Sequence, residues 1–314
     1  MRSSISSFKR FLTVFAVLAA VLLLTVSAAT EAMIRVYVEP IDLFEQSVDI
    51  FMKADTGNAF FGDSIVAAGI IPETGEFVNL ATGGESPAMM LKKVKIFYAG
   101  KDGGRAVLPA NVNMLVRQLT SFADYDEILT QTGRPGIRLM TARHRAYAFD
   151  YWKTFLFDSF STRRTTLQHG GEVFSDPALN NLFAEKSDEE RSSNARGKFA
   201  EYLSVDLERI AANKAIFREL TEFLHDRDIK VCLLSYPMSL EIRSLGKDND
   251  FVADSIGFFR SLAKEYSMTY VNAREMFSEP DMFIDATHMS EPAARRFTGH
   301  AIQACFGEST GNTN

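Results

Sequence analysis

Three short fragments carry residue types that can do chemistry together: Gly62-Asp63-Ser64, Asn79-Leu80-Ala81-Thr82-Gly83-Gly84 and Asp285-Ala286-Thr287-His288. Serine is a poor nucleophile unless a base lies within hydrogen-bond reach. His288 can be that base, and Asp285, three residues earlier, can hold the other imidazole nitrogen and fix its tautomer. A serine that follows a strand and opens a helix sits among unpaired backbone N–H groups. Those donors, with the positive end of the helix, favour an oxyanion beside the hydroxyl. Gly84 leaves its own N–H unshielded by a side chain and suits a second oxyanion donor. The chemistry these residues can perform is attack on an ester carbonyl. Each fragment also has a plain structural reading: Gly83-Gly84 as a tight turn, and Asp63 as a side chain that hydrogen-bonds its own turn rather than reacting.

The elements that must position these residues alternate in kind. The apolar run Gly57–Phe61 ends at Gly62-Asp63-Ser64 and continues into Ile65–Ala68, a strand–turn–helix pattern. Phe77–Ala81 reads as a second strand, and Ser86-Pro87 starts a helix to about Tyr98, with proline in the first turn. Arg105–Asn111 is a third strand candidate, Ile229–Ser235 a buried one and Met268–Asn272 another. Phe251–Tyr266 has helical periodicity, and a last helix starts near Glu291. Strands separated by helices imply an α/β fold, a three-layer α/β/α sandwich with a parallel sheet covered on both faces. All three chemical fragments then fall at strand ends, where open α/β sheets place their sites. Residues 120–190 break the rhythm with aromatics (Tyr147, Phe149, Tyr151, Trp152, Phe155, Phe157, Phe160) and read as a helical insertion. That insertion is expected to cap the cleft or bind a partner, its aromatics forming its own core rather than a carbohydrate platform. Lys186–Gly197 reads as a polar loop, Tyr236-Pro237-Met238 as a strand end that lines the cleft or merely stops the strand, and Gly311–Asn314 as a frayed tail.

In this order the fragments resemble the SGNH (GDSL-like) hydrolase superfamily, whose sandwich is flavodoxin-like. Gly62-Asp63-Ser64 looks like its first block, carrying the nucleophile. Asn79–Gly84 looks like the second, whose glycine N–H lines the oxyanion hole, here Gly84 or alternatively Gly83. Asp285 and His288 match the closing Asp-x-x-His. The third block's Gly-x-Asn-Asp is absent; Pro109-Ala110-Asn111-Val112-Asn113 stands in its place, so the oxyanion asparagine is Asn111, Asn113 or missing. The resemblance covers most of residues 55–303. The stretch Asn-Leu-Ala-Thr-Gly-Gly-Glu-Ser-Pro behind a single apolar N-terminal segment looks most like membrane-tethered members that add or remove acyl groups on bacterial cell-surface polysaccharides. It implies a serine esterase or O-acyl(acetyl)transferase with a Ser64–His288–Asp285 triad, no cofactor and no metal. Its implied partners are an acylated polysaccharide or other ester, and a membrane acyltransferase or polysaccharide-assembly protein. The alternative is a scaffold of an envelope or exopolysaccharide assembly that keeps the fold with a weakened site.

The flanks and the composition agree with a protein working beyond the cytoplasm. Arg2, Lys9 and Arg10 precede an uncharged run, Phe11–Ala29, long enough to span a bilayer with its basic flank inside. Residues 1–36 are expected to anchor the chain in the inner membrane, single-pass, with residues 37–310 forming the hydrolase-like domain in the periplasm or outside. Cleavage near Ser27-Ala28-Ala29 and secretion is the alternative. Met33–Lys53 leads into the folded domain. Of 314 residues, 34 are basic and 40 acidic, a net charge of -6 with basic residues scattered among acids. That excludes the concentrated basic face of a nucleic-acid binder. Cys232 and Cys305 show no metal spacing and no framework, and Cys232 reads as a small buried hydrophobe. Lys92, Lys93 and Lys95 read as a solvated helix face, Ala99–Gly104 as a turn, and His144, His169, His225 and His300 as surface or packing residues. No Gly-x-Ser-x-Gly elbow is present.

Overall fold

The computed structural model describes residues 2–38, 50–51, 53–73, 75–117, 142–160, 182–203 and 206–307. The chain divides into two compact units, Met1–Gln46 with Phe122–His169, and Ser47–Ser121 with Gly170–Asn314. Most of the lead-in 33–53, His169 and the tail 311–314 lie outside the described residues.

The second unit holds the sheet. Its strands are β1 (Asn58–Phe60), β2 (Val78–Asn79), β3 (Arg105–Pro109), β4 (Lys230–Ser235) and β5 (Thr269–Asn272), all parallel, in the order β2-β1-β3-β4-β5. This is the doubly wound order that reverses direction between β1 and β3, and such sheets bind ligands in the crevice outside the strand ends at that point. Side chains alternate between faces as strand geometry requires. Phe60, Val107, Cys232 and Leu234 face one core, and Ala59, Phe61, Ala106, Leu108, Val231 and Leu233 the other. Against the first core pack α2 (Ser64–Gly69), α7 (Asp188–Leu203) and α11 (Glu291–Phe306). Against the second pack α3 (Pro87–Phe97), α8 (Leu207–His225) and α10 (Asp250–Glu265). The result is a three-layer α/β/α sandwich. Short connecting helices are α4 (Val112–Val116), α6 (Leu182–Glu185) and α9 (Leu240–Gly246).

Three sequence expectations are corrected here. The stretch read as a loop over Lys186–Gly197 is largely the helix α7. Its start is a reciprocal cap: the Glu190 N–H donates to Ser187 Oγ (3.3 Å) and the Ser187 N–H donates to Glu190 Oε2 (2.8 Å). Asp188, Glu189 and Glu190 sit at its positive end. Only the narrow stripe Ala195, Phe199 and Tyr202 is buried, which is why the stretch looks polar throughout. Cys232 and Cys305 are joined in a disulfide with Cα atoms 5.5 Å apart. Cys232 is buried as expected, yet it is one end of a cross-link from β4 to α11. Finally, Lys93 is 1% exposed, whereas Lys92 and Lys95 face solvent.

The first unit contains α1 (Arg2–Met33), continuing through a π-helical segment (Ile34–Val38), and α5 (Ala142–Phe160). Phe8–Val38 is long and apolar enough to cross a membrane, and a signal sequence at this position would have the same properties. Met33, Ile34 and Val38 pack with Tyr151 of α5, and the Trp152 indole N–H donates to Thr30 Oγ1 (3.1 Å). His144 is a packing histidine, its Nδ1 3.3 Å from the Tyr151 hydroxyl.

Candidate active site

Gly62, two residues beyond β1, has φ +145°. A side chain there would collide with Val66 and crowd Pro109, so only glycine lets the chain turn this tightly into α2. Asp63 caps the helix: its Oδ1 accepts from the Ile65 N–H (3.1 Å). Its other oxygen accepts from Asn113 Nδ2 (2.7 Å) and Arg117 Nη2 (2.8 Å), two partners that the sequence alone did not indicate. Ser64 is thereby the first residue of the helix, 9% exposed. The buried carboxylate beside it is neutralised by a neighbouring guanidinium.

The candidate base comes from the loop between β5 and α11. His288 Nδ1 lies 2.8 Å from Asp285 Oδ2, and Nε2 lies 3.0 Å from Ser64 Oγ. An ionised carboxylate only accepts, so Nδ1 carries the proton and Nε2 is left to accept from the serine hydroxyl. Burial works to raise the Asp285 pKa. The hydrogen bond and charge of His288, with the N–H groups of Thr287 and His288, outweigh it and hold this carboxyl well below the usual range. Those N–H groups donate to Oδ1 at 2.7 and 2.8 Å, and the Thr287 hydroxyl adds a bond at 3.0 Å. The loop is fixed from outside as well. The Ala286 N–H donates to Asn194 Oδ1 (3.1 Å) on α7, and the Ala286 carbonyl accepts from the Ser239 N–H (3.2 Å). Asn194 lies in the stretch read as a loop, so its part in the site was hidden by that reading.

Candidate oxyanion donors surround the serine's end of the sheet. The second fragment forms a turn closed by the Glu85 N–H to the Thr82 carbonyl (3.1 Å), with Gly84 at φ +74°. Glycine is the residue for that position of the turn, and Gly83 has no positive φ. The turn is tied to the loop that carries Ser64 because the Thr82 N–H donates to the Gly62 carbonyl (2.9 Å). Among the described residues, neither the Ser64 nor the Gly84 N–H has a hydrogen-bond partner. Asn111, which precedes α4, and Asn113, in its first turn, differ sharply. Asn113 Nδ2 is committed to Asp63, whereas Asn111 Oδ1 accepts from the Tyr236 N–H (2.9 Å) and its Nδ2 is buried without a partner. The Tyr236 contact also fixes which amide atom is oxygen. A buried, unpaired donor is costly, so an acceptor arriving there would relieve it. Tyr236 itself is buried with Met238 in the first core.

Beneath the turn lies a buried ion pair. Lys93 Nζ donates to the Leu80 carbonyl (2.6 Å), Thr82 Oγ1 (2.9 Å) and Glu85 Oε2 (2.9 Å), and is equally near Oε1. Burial pushes the Glu85 carboxyl up to about 7 against the opposing pull of Lys93.

A scan against protein-family models finds no match to this chain, and a search of the curated proteins finds none either.

Proposed function

We propose that the chain is an extracytoplasmic serine esterase or O-acyltransferase of SGNH type, acting on acyl esters of cell-surface polysaccharide. The observation that carries this reading is the continuous relay Ser64–His288–Asp285, with contacts of 3.0 and 2.8 Å, at the switch point of a parallel sheet. In the proposed reaction His288 Nε2 takes the Ser64 proton as Oγ attacks the ester carbonyl. Charge gathers on the carbonyl oxygen, stabilised by the N–H groups of Ser64 and Gly84 and by Asn111 Nδ2. The tetrahedral adduct collapses, and the alcohol leaves with the proton from His288. Water or a sugar hydroxyl, deprotonated by His288, then takes the acyl group from the serine.

Labelling of the full chain with a serine-directed fluorophosphonate, beside turnover of a small acetyl ester, tests this. Both should occur in the wild type and vanish in Ser64→Ala. Asn111→Ala should lose about 10²–10³ in rate, the usual cost of one oxyanion donor. Asn113→Ala should act only through Asp63 and lose far less. A wild type that neither labels nor turns over esters, with Ser64→Ala still supporting polysaccharide modification in cells, would replace the enzyme by a scaffold of the same fold.

The location proposed is the inner membrane with the folded domain outside, anchored by the N-terminal helix. Basic residues before the apolar run favour that orientation, and a disulfide fits an oxidising compartment. A reporter that works only after export, fused after Asn314, should be active; activity of a cytoplasm-only reporter at the same site would reverse the topology.

A further inference from the structure

We propose that Lys93 and Glu85 are a positioning pair for the oxyanion donor of Gly84, holding the Thr82–Glu85 turn in the shape that presents this N–H to the reacting carbonyl. The inference rests on the catalytic reading above and assigns a role to a buried charge pair that the reaction itself does not use.

The Gly83-Gly84 segment has more backbone freedom than any other pair of residues could have. Left to itself, the Gly84 N–H would sample many directions, and a donor is worth its full effect only when it is already aimed. Lys93 removes that freedom from below. Its ammonium reaches back from the second turn of α3 and binds the segment at three places, the Leu80 carbonyl before the turn, the Thr82 hydroxyl at its start and the Glu85 carboxylate at its end. All three donor positions of the ammonium are thereby used. Because the Thr82 N–H also binds the Gly62 carbonyl, the same contacts set the spacing between the Gly84 and Ser64 donors.

Stability alone is a poor account of this pair. Lys93 is 1% and Glu85 0% exposed, and burying two charges costs so much desolvation that apolar residues of similar volume usually serve stability as well or better. The surrounding side chains Met90, Val94 and Phe97 show that an apolar residue at position 93 would suit this helix face. What an apolar residue cannot do is bind three polar groups of one turn.

The test uses the full chain in detergent and the double variant Lys93→Met/Glu85→Gln, which removes the pair without leaving a lone buried charge. Three readouts are taken together: thermal unfolding, amide hydrogen exchange over residues 80–86, and kcat and KM for a small acetyl ester. The pair as a positioning device predicts a folded variant whose exchange over 80–86 rises at least about tenfold while the β4 amides stay protected. It also predicts kcat lower by about 10- to 100-fold, below the full loss of a donor, with KM nearly unchanged. Unchanged exchange over 80–86, or unchanged kcat in an active enzyme, overturns it. Should the double variant not fold, Thr82→Val removes one anchor and leaves the ion pair. It should then show the same pattern on a smaller scale, and a wild-type profile from it overturns the proposal. A wild type with no esterase activity defeats the catalytic reading alone, because the exchange measurement still reports whether the pair orders the turn.

Discussion

His288→Ala should reduce ester turnover by about 10⁶-fold, the scale of loss when a serine-nucleophile relay is deprived of its base. It should also erase the acid limb of the pH profile. The proposed mechanism needs neutral imidazole at Nε2, so activity should fall on the acid side, where a protonated imidazole cannot accept the serine proton. The neighbouring carboxylate does not blur this limb. Asp285 is held well below the usual range by His288 and two backbone N–H groups, against the effect of burial. It therefore stays ionised on both sides of the limb and is protonated only in much stronger acid. Glu85 is different, because burial pushes it to about 7, inside the pH range of the assay. The double variant Lys93→Met/Glu85→Gln, which leaves no lone buried charge, separates the two: the limb should persist in this variant, at its lower rate, and disappear only with the imidazole. Initial rates from pH 5 to 9 for the three proteins make the measurement. Activity within tenfold of wild type in His288→Ala would mean that the base is another group.

The fold class was legible because its signals are local and repeated. Buried strands such as Ile229–Ser235, each followed by a helical period, leave few arrangements other than a parallel sheet with helices on both faces. Ser64 could be named because it sits where a strand pattern stops. Asp285 and His288, expected at a strand end, lie in the long loop after β5, thirteen and more residues beyond its last residue Asn272, and were legible only through their own Asp-x-x-His spacing. The structure brings all three into hydrogen-bond contact although the serine and histidine are 224 residues apart. Distinguishing Asn111 from Asn113 needed three dimensions, since the difference is which amide Asp63 occupies. The supporting residues are hard to see in the sequence because charged side chains are seldom buried unless paired. Met90, Lys93, Val94 and Phe97 have the i, i+3, i+4, i+7 spacing of one inward helix face, and that pattern alone places Lys93 inside. Likewise Ser187-Asp188-Glu189-Glu190 has the spacing of a capping box and announces a helix within a stretch that looks like a loop. The disulfide was not readable at all from spacing: 73 residues separate its ends, and only the shared sheet face brings them together.

Cys305→Ser should cost the folded state about 4 kcal/mol, the entropy that closing a 73-residue loop removes from the unfolded chain. The bond joins β4 to the last turn of α11, so without it the C-terminal helix is held by non-covalent contacts, among them buried Phe297, Ala301 and Ile302 and the Ile71 N–H to Thr298 Oγ1 bond (2.9 Å). Denaturant unfolding of wild type and variant, each with and without reductant, should show a lower midpoint for the variant. Reductant should move only the wild type, and only once denaturant exposes the sulfurs, since Cys232 is fully buried and Cys305 nearly so. Catalysis should behave differently. The helix starts three residues after His288, yet the loop that carries Asp285 and His288 has its own restraints. The Ser239 N–H binds the Ala286 carbonyl, the Ile284 N–H binds the His288 carbonyl, and the Ser290 N–H binds the Met282 carbonyl at 2.9 Å. Together with Asn194 these hold Asp285 and His288 without help from the far end of α11. The variant should therefore keep kcat within a few-fold at 25 °C while losing several degrees of thermal stability. A stability change below about 1 kcal/mol would show that the two sulfurs are not joined in the functioning protein. A large loss of kcat in a fully folded variant would show instead that the cross-link, and not the loop's own hydrogen bonds, sets the position of the base.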